Sequence, residues 1–368
     1  MAPYTVHKSL DQGLYFLDGQ RKTIEKPKYS REFDVFEPRI GKVVAKCPIA
    51  PKELVDRVCT DAKKAQPAWG KIVPMERAKV LLKVADIIRE NVDELAVWES
   101  KTNGKSVNEA REDILSSADT FMFYGGIAPA VLKGDHFELP DDRFCYTRCE
   151  PFGVVGCIGA WNYPFQTCVW KVAPALAAGN AVVYKPSPFA PGSPVALGEV
   201  LKAAGLPDGV YNVVQGDAET GEALCQNEDI RRVSFTGSVE TGKAIQRNCA
   251  LKNIKPVTLE LGGKSAFIVF EDADINEAVN AAILANFLNQ GEVCTNATRV
   301  FVQESIVDEF VEKLKKECDK VKVGDPLKGE NNVGAMINEG HLNKVLGFVE
   351  SAVKEASYEF ATLNLPFK

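Results

Sequence analysis

Residues 153–186 read GVVGCIGAWNYPFQTCVWKVAPALAAGNAVVYKP, two short apolar runs rich in β-branched residues on either side of a helical segment. The first run, GVVGCIGA (153–160), and the second, NAVVYKP (180–186), have the length of strands buried on both faces, and Lys171 to Ala178 between them reads as a helix. The pattern continues. A helix opens at Pro194, with Ser193 expected as its N-cap and Gly205 as its C-terminal glycine. VYNVVQG, a short helix, RRVSFTGS, another helix and PVTLELGG follow. Repeated strand–helix–strand units imply a parallel sheet covered on both faces, with ligands at the carboxyl ends of its strands.

Working outward, residues 52 to about 126 read as helical scaffold, with Val80, Leu81, Val84, Ile87 and Ile88 at helical spacing. Between Lys133 and Glu150, alternation around a Pro-Asp-Asp turn predicts a strand pair standing apart, an excursion or oligomer arm. A second α/β unit begins near Gly263, with SAFIVF as strand, Ile275 to Asn289 as helix, TRVFVQ as strand and Val307 to Lys320 as helix. The expected organisation is α/β, a Rossmann-like parallel-sheet dinucleotide-binding domain (1–128 and 151–262), a bridging hairpin (129–150) and a second, incomplete α/β catalytic domain (263–368).

The chain of 368 residues is 45% hydrophobic and 26% charged, a globular composition that excludes disordered and collagen-like classes. A formal charge of -6 gives no basic footprint for nucleic acid. The first residues lack the regions of a secretory signal, and ten cysteines at this length are no disulfide framework, so a reduced, cytoplasmic setting is expected. His7, His136 and His341 lie far apart and no two Cys pairs have CxxC spacing, so no metal site is expected. Pro151 to Trp170 carries no charge, but its prolines, glycines, Asn162 and Gln166 make it buried soluble backbone rather than a membrane span.

Three residues are chemically suggestive. Cys294, in FLNQGEVCTNATRV, lies between a helix expected to end at Gly291 and a strand, where a thiol can face a pocket; a buried inert thiol is the alternative. The preceding helix would present its negative end there, which does not favour a thiolate. Glu260 sits inside the strand-like run PVTLELGG; burial there would raise its pKa toward that of a general base, while a strand-end glutamate facing solvent is the alternative. Asn162, in GAWNYPF, could donate to an oxyanion or merely form a turn.

FLNQGEVCTNATR, VTLELGGKS, GAWNYPFQ, VVYKPSP and FTGSVETG together resemble the NAD(P)-dependent aldehyde dehydrogenase superfamily over residues 30 to 350, particularly its betaine- and aminoaldehyde-oxidising members. The resemblance implies Cys294 as nucleophile, Glu260 as general base, and the Asn162 side chain with the Cys294 backbone N–H as oxyanion hole. It implies NAD as cofactor, with NADP as the alternative, held by Ile158, Trp161, Lys185, Ser187, Gly216, Gly237, Ser238, Gly242 and Leu261. Gly237 and Ser238 would open a helix toward the pyrophosphate and Lys185 would reach the adenosine ribose, although Pro188 stands where many relatives carry a ribose-binding glutamate.

Tyr163 and Trp170 are implied to hold a trimethylammonium group by cation–π attraction, or to form an apolar tunnel. Leu288, aliphatic where betaine specialists often carry Trp, favours an aminoaldehyde such as 4-trimethylaminobutyraldehyde, the aldehyde of carnitine biosynthesis. The implied partners are a small-molecule aldehyde and, for a full-length form, further copies of the chain, with no nucleic acid and no membrane. The sequence stops at Lys368 without the EIFGP-type motif or C-terminal strand of such proteins, so a non-catalytic form that binds nucleotide or partner subunits is the second expectation. A cysteine hydrolase is disfavoured, since no histidine lies near a suitable motif.

Overall fold

The computed structural model describes residues 14–24 and 31–355. The ends of the expected first and last domains lie outside the described residues. The chain opens with two hairpins, β1 (Tyr15–Leu17) with β2 (Gln20–Lys22) and β3 (Glu32–Glu37) with β4 (Lys42–Pro48). Four helices follow, α1 (Lys52–Gly70), α2 (Pro74–Glu90), α3 (Val92–Asn103) and α4 (Val107–Val131). Local chemistry sets their ends. Pro74 opens α2, left-handed Gly104 (φ 95°) closes α3, and the Ser106 hydroxyl caps α4 by accepting from the Glu109 N–H at 3.2 Å. Trp69 at the end of α1 is fully buried, its indole N–H donating to the Leu176 carbonyl at 2.9 Å.

Next come β5 (His136–Leu139) and β6 (Arg143–Tyr146), an antiparallel pair forming a sheet of its own with every residue exposed. Asp141 and Asp142, left-handed at φ 60° and 58°, make the tight turn.

The alternating region forms β7 (Val154–Ile158), α5 (Pro164–Ala177), β8 (Ala181–Lys185), α6 (Ser193–Ala204), β9 (Tyr211–Val213), α7 (Ala218–Gln226), β10 (Ile230–Gly237), α8 (Val239–Ala250) and β11 (Val257–Leu261). Its sheet has the order β11-β10-β7-β8-β9-β1-β2, with β7 to β11 parallel and β1 antiparallel to β9. The chain winds outward from β7 through β8 and β9, then returns to its other side as β10 and β11. The switch point between β7 and β10 is where a parallel sheet leaves a crevice at its carboxyl edge. Both β7 and β8 are buried at every position, as a strand covered on two faces requires.

Two boundaries differ from expectation. Helix α5 begins at Pro164, seven residues before Lys171, because proline supplies a preformed first turn directly after Tyr163. In α6 the N-cap is Gly192, and the Ser193 hydroxyl donates to the buried Glu99 carboxylate instead of capping. Gly205 does close α6 in the left-handed conformation (φ 102°).

The last unit comprises β12 (Ala266–Val269), α9 (Ile275–Phe287), β13 (Arg299–Val302), α10 (Val307–Cys318) and α11 (Glu339–Glu355). Strands β12 and β13 pair in parallel over a small separate core of Val269, Val279, Ala282 and Phe310. Asp274 caps α9, accepting from the Asn276 and Glu277 N–H groups. Helix α9 ends at Phe287 rather than Asn289, because the chain turns left-handed there, and α10 ends two residues before Lys320. Among the described residues no helix is long and apolar enough to cross a membrane, and no group of His, Cys, Asp and Glu could hold a metal.

Candidate active site

Asn289, Gln290 and Gly291 are consecutively left-handed (φ 51°, 56° and 77°), a conformation that carries the chain from α9 into the Cys294 loop. Asn289, with no exposed surface, secures it: its N–H donates to the Glu109 carboxylate at 2.9 Å, and its side-chain amide donates to the carbonyls of Asn162 (2.9 Å) and Glu292 (3.3 Å). Gln290 adds a bond to the Ala335 carbonyl at 3.1 Å, and Asn296 one to the Gly291 carbonyl at 3.0 Å. Cys294, a free thiol, stands exposed on this braced loop. With α9 ending at Phe287, seven residues upstream, the helix terminus no longer acts on the sulfur, since that effect fades within a turn. Of the other nine cysteines six are buried; Cys145 and Cys149, on and beside the β6 strand, are exposed.

Asn162 lies between β7 and α5. The Asn103 amide steadies this loop by donating to the Trp161 and Asn162 carbonyls at 2.9 and 3.2 Å. The Asn162 amide in turn donates to the Glu292 carbonyl at 2.8 Å, two residues before Cys294. Glu260, near the end of β11, pairs in register with Thr236 of β10 and is exposed. Of the two readings of Glu260, the structure shows the solvent-facing one: among the described residues β11 is the edge strand of its sheet, and its other residues are half-buried. Gly263, three residues on, abuts the Cys294 backbone, since a Cβ there would stand 2.6 Å from the Cys294 carbonyl oxygen. The structure thus brings the segments carrying Asn162, Glu260 and Cys294 together.

Sequence reasoning missed Lys171. Its ammonium, buried under the sheet, donates to the Thr236 hydroxyl at 2.6 Å beside Glu260; burial lowers its pKa, with Cys157 and Glu260 opposing. The available signal was that this lysine ends the uncharged run and must find a partner. Asn103, Glu109 and Asn289 gave no comparable signal.

Every residue expected to hold a dinucleotide lies at the carboxyl side of the sheet. Ile158, Lys185, Gly237 and Leu261 end β7, β8, β10 and β11, and Trp161 and Ser187 follow β7 and β8. Lys185 is buried, donates to the Pro186 carbonyl at 3.0 Å, and has its pKa pulled down to about 8 by desolvation, with Asp217 opposing. Ser238 caps α8 by accepting from the Thr241 N–H at 3.2 Å, leaving the first turn directed along the carboxyl edge. Gly242 lets α8 approach β11, since a Cβ would press on Leu261 at 3.0 Å, and at Gly216 one would collide with Thr220.

The two aromatic positions separate. Tyr163 is buried, and the Lys105 ammonium, itself fully buried and paired with Asp113, lies 3.8 Å from its ring centroid. One face is therefore already engaged. Trp170 is 45% exposed and lines a surface cavity of about 350 Å³ with Ser116, Asp119, Thr120, Phe123 and Tyr124.

The aldehyde dehydrogenase family profile matches residues 24–360. The chain belongs to the aldehyde dehydrogenase family. Over 322 residues it is 51% identical to the 4-trimethylaminobutyraldehyde dehydrogenase of Bos taurus, a match that takes in 88% of this chain and 65% of the bovine protein. The chain thus spans about two thirds of the length of the curated relatives it matches. Its fold superimposes with a TM-score of 0.88 on an NAD-dependent aldehyde dehydrogenase from Sinorhizobium meliloti, 37% identical, covering 94% of this chain and 69% of that one. It matches equally, at 0.88 and 32% identity over 95% and 70% of the two chains, a betaine aldehyde dehydrogenase from Staphylococcus aureus solved in complex with NAD+ and with a modified cysteine. An aldehyde dehydrogenase fold therefore accounts for the sheet, the small second core and the hairpin.

Proposed function

We propose that this aldehyde dehydrogenase family member oxidises an aminoaldehyde, such as 4-trimethylaminobutyraldehyde, to its carboxylic acid with NAD. The observation that carries this reading is the meeting of three segments: the Asn162 amide bonded two residues before Cys294, and the turn after Glu260 seated on the Cys294 carbonyl. The substrate rests on the names of the curated relatives; Tyr163, engaged by Lys105, and Trp170, on a separate surface cavity, add no support to it.

The chemistry follows from what each group can do. The Cys294 thiol gives up its proton to solvent, and the thiolate adds to the carbonyl carbon, giving a tetrahedral alkoxide that pre-aimed donors, the Asn162 amide and the Cys294 backbone N–H, would stabilise. For this the Asn162 amide must exchange the Glu292 carbonyl for the developing oxyanion. Collapse of the alkoxide expels the hydride and leaves a thioester on Cys294. Glu260, wetted and free to move a proton, takes one from water; the hydroxyl adds to the thioester and the Cys294 thiolate leaves. Lys171, bonded to Thr236 beside Glu260, is placed to hold that carboxylate's side of the sheet electropositive.

The residues at the carboxyl edge suit a dinucleotide. The α8 N-terminus can meet a pyrophosphate, Gly242 permits the close packing of α8 that sets its direction, and Lys185 at the end of β8 supplies a donor for a ribose hydroxyl. When bound, NAD supplies the hydride acceptor. The main seven-stranded sheet with α1 to α8 would be the dinucleotide-binding domain and residues 263–368 the thiol-bearing one, in keeping with the two separate cores. The exposed apolar side chains of Phe137, Leu139, Phe144 and Tyr146 on the hairpin support its use as a subunit contact in a homo-oligomer. Ten free thiols support a cytoplasmic setting.

Absorbance at 340 nm tests the reading: the purified chain should form NADH from 4-trimethylaminobutyraldehyde, and Cys294→Ala should abolish it. A soluble, folded chain that binds NAD without turnover would overturn it in favour of a nucleotide-binding form.

A further inference from the structure

Asn289 carries three costs at once. It is a non-glycine residue in the left-handed region (φ 51°), it has no exposed surface, and its Oδ1 is sealed from solvent without a hydrogen-bond partner. A glycine would hold the same turn without them. What asparagine adds is an NH2 group aimed at two acceptors: one hydrogen meets the Asn162 carbonyl at 2.9 Å and the other the Glu292 carbonyl at 3.3 Å. Since both neighbours are acceptors, only one orientation of the amide fits, and it leaves Oδ1 unpaired. The backbone beneath is fixed as well, the Asn289 N–H donating to Glu109 at 2.9 Å and its carbonyl accepting from the Glu292 N–H at 2.9 Å.

The Glu292 carbonyl therefore has two donors, the Asn162 amide at 2.8 Å and the Asn289 amide at 3.3 Å, one for each lone pair. We propose that Asn289 is a positioning residue that frees the Asn162 amide for the oxyanion: it keeps the Glu292 carbonyl bonded when the Asn162 side chain lets go, and it holds the Asn162 backbone still meanwhile. The inference rests on the reading of Asn162 as an oxyanion donor. When the Asn162 amide turns from the Glu292 carbonyl to a developing alkoxide, it leaves that carbonyl behind on a buried residue. An acceptor stranded there is costly, and the cost would add to the barrier. The Asn289 hydrogen, already in place, removes it. Its other hydrogen and the Asn103 amide, at 2.9 and 3.2 Å, both pin the Asn162 carbonyl, so the side chain can turn while the main chain stays.

The test is a double-mutant cycle on the rate of the first turnover, read as NADH absorbance after rapid mixing of the full chain with NAD and 4-trimethylaminobutyraldehyde. Asn289→Gly keeps the left-handed turn and deletes the amide. It should slow that turnover about tenfold, while NAD affinity by fluorescence titration and the urea midpoint stay near wild type. In an Asn162→Ala background the same substitution should cost less than about twofold, because no donor is left to release. Asn289→Asp has the same shape but sets acceptors against both carbonyls; it should be at least as slow as Asn289→Gly and takes its place in the cycle if the glycine variant does not fold. Equal losses in the two backgrounds, or a lowered urea midpoint with an unchanged rate, overturn the proposal and leave the nucleophile in place. A wild-type chain without turnover, and without an acyl group on Cys294, overturns the functional reading and this proposal with it.

Discussion

The side-chain amide of Asn162 donates to the backbone carbonyl of Glu292 at 2.8 Å across 130 residues of chain. On the proposed mechanism this bond holds the oxyanion donor beside the loop of the nucleophile before any substrate arrives. Asn162→Ala removes both functions, and kcat for NADH formation should fall about 10²- to 10³-fold, the usual consequence of losing one such donor. Asn162→Asp, which replaces the donor by a like charge, should be at least as damaging. A loss below about threefold in steady-state assays would remove Asn162 from the chemistry.

Gly263→Ala places a methyl 2.6 Å from the Cys294 carbonyl oxygen, a backbone atom that cannot give without moving the loop. Misplacing a nucleophile by about 1 Å costs up to about 10²-fold. The substitution should therefore depress kcat at least about tenfold while NAD binding, measured by fluorescence titration, stays near wild type.

Lys185 has a folded-state pKa of about 8, below that of a free lysine, because desolvation disfavours its charge. Its ammonium is lost as pH rises through 8, and with it the charge it would bring to the proposed ribose contact. NAD affinity should decline between pH 8 and 9.5 in wild type. Lys185→Met should bind about ten- to a hundredfold more weakly and show no such decline.

The sign for stability is opposite to that for binding. Between pH 8 and 10.5 the unfolded chain keeps the Lys185 proton that the folded chain has released, so this group's contribution to stability rises with pH across that window. Urea titrations of wild type and Lys185→Met should converge toward pH 10.5 and separate below pH 8, where the buried charge burdens wild type alone.

Trp69 fills the junction of α1 with α5 without exposed surface, and its N–H is satisfied by the Leu176 carbonyl. Trp69→Ala leaves a large buried cavity, so chemical denaturation should show a loss of about 3 to 5 kcal/mol. A loss under 1 kcal/mol would mean that the helical layer is not packed as described.

The strands of the main sheet were legible because each is a short apolar run with turn residues at its ends, and β7 and β8 are buried on both faces as such runs demand. The start of α5 was not, since the turn chemistry of Trp161–Asn162–Tyr163 masks a helix that Pro164 has already begun. Cys294, Glu260 and Asn162 could be singled out by motif, but the wetness of Glu260 follows from β11 being an edge strand, which only the sheet order reveals. Asn103, Glu109, Asn289 and Glu292 are ordinary polar residues in sequence. They matter because contacts spanning 58 to 180 residues bring them under the Cys294 loop, and no local pattern encodes such pairings.

Mass spectrometry of the intact chain, quenched seconds after mixing with NAD and 4-trimethylaminobutyraldehyde, tests the nucleophile most directly. An acyl group should appear on the peptide carrying Cys294, accumulate in Glu260→Gln because the water step is slowed, and be absent from Cys294→Ser. An adduct that persists in Cys294→Ser, or that maps to another cysteine, would contradict the account.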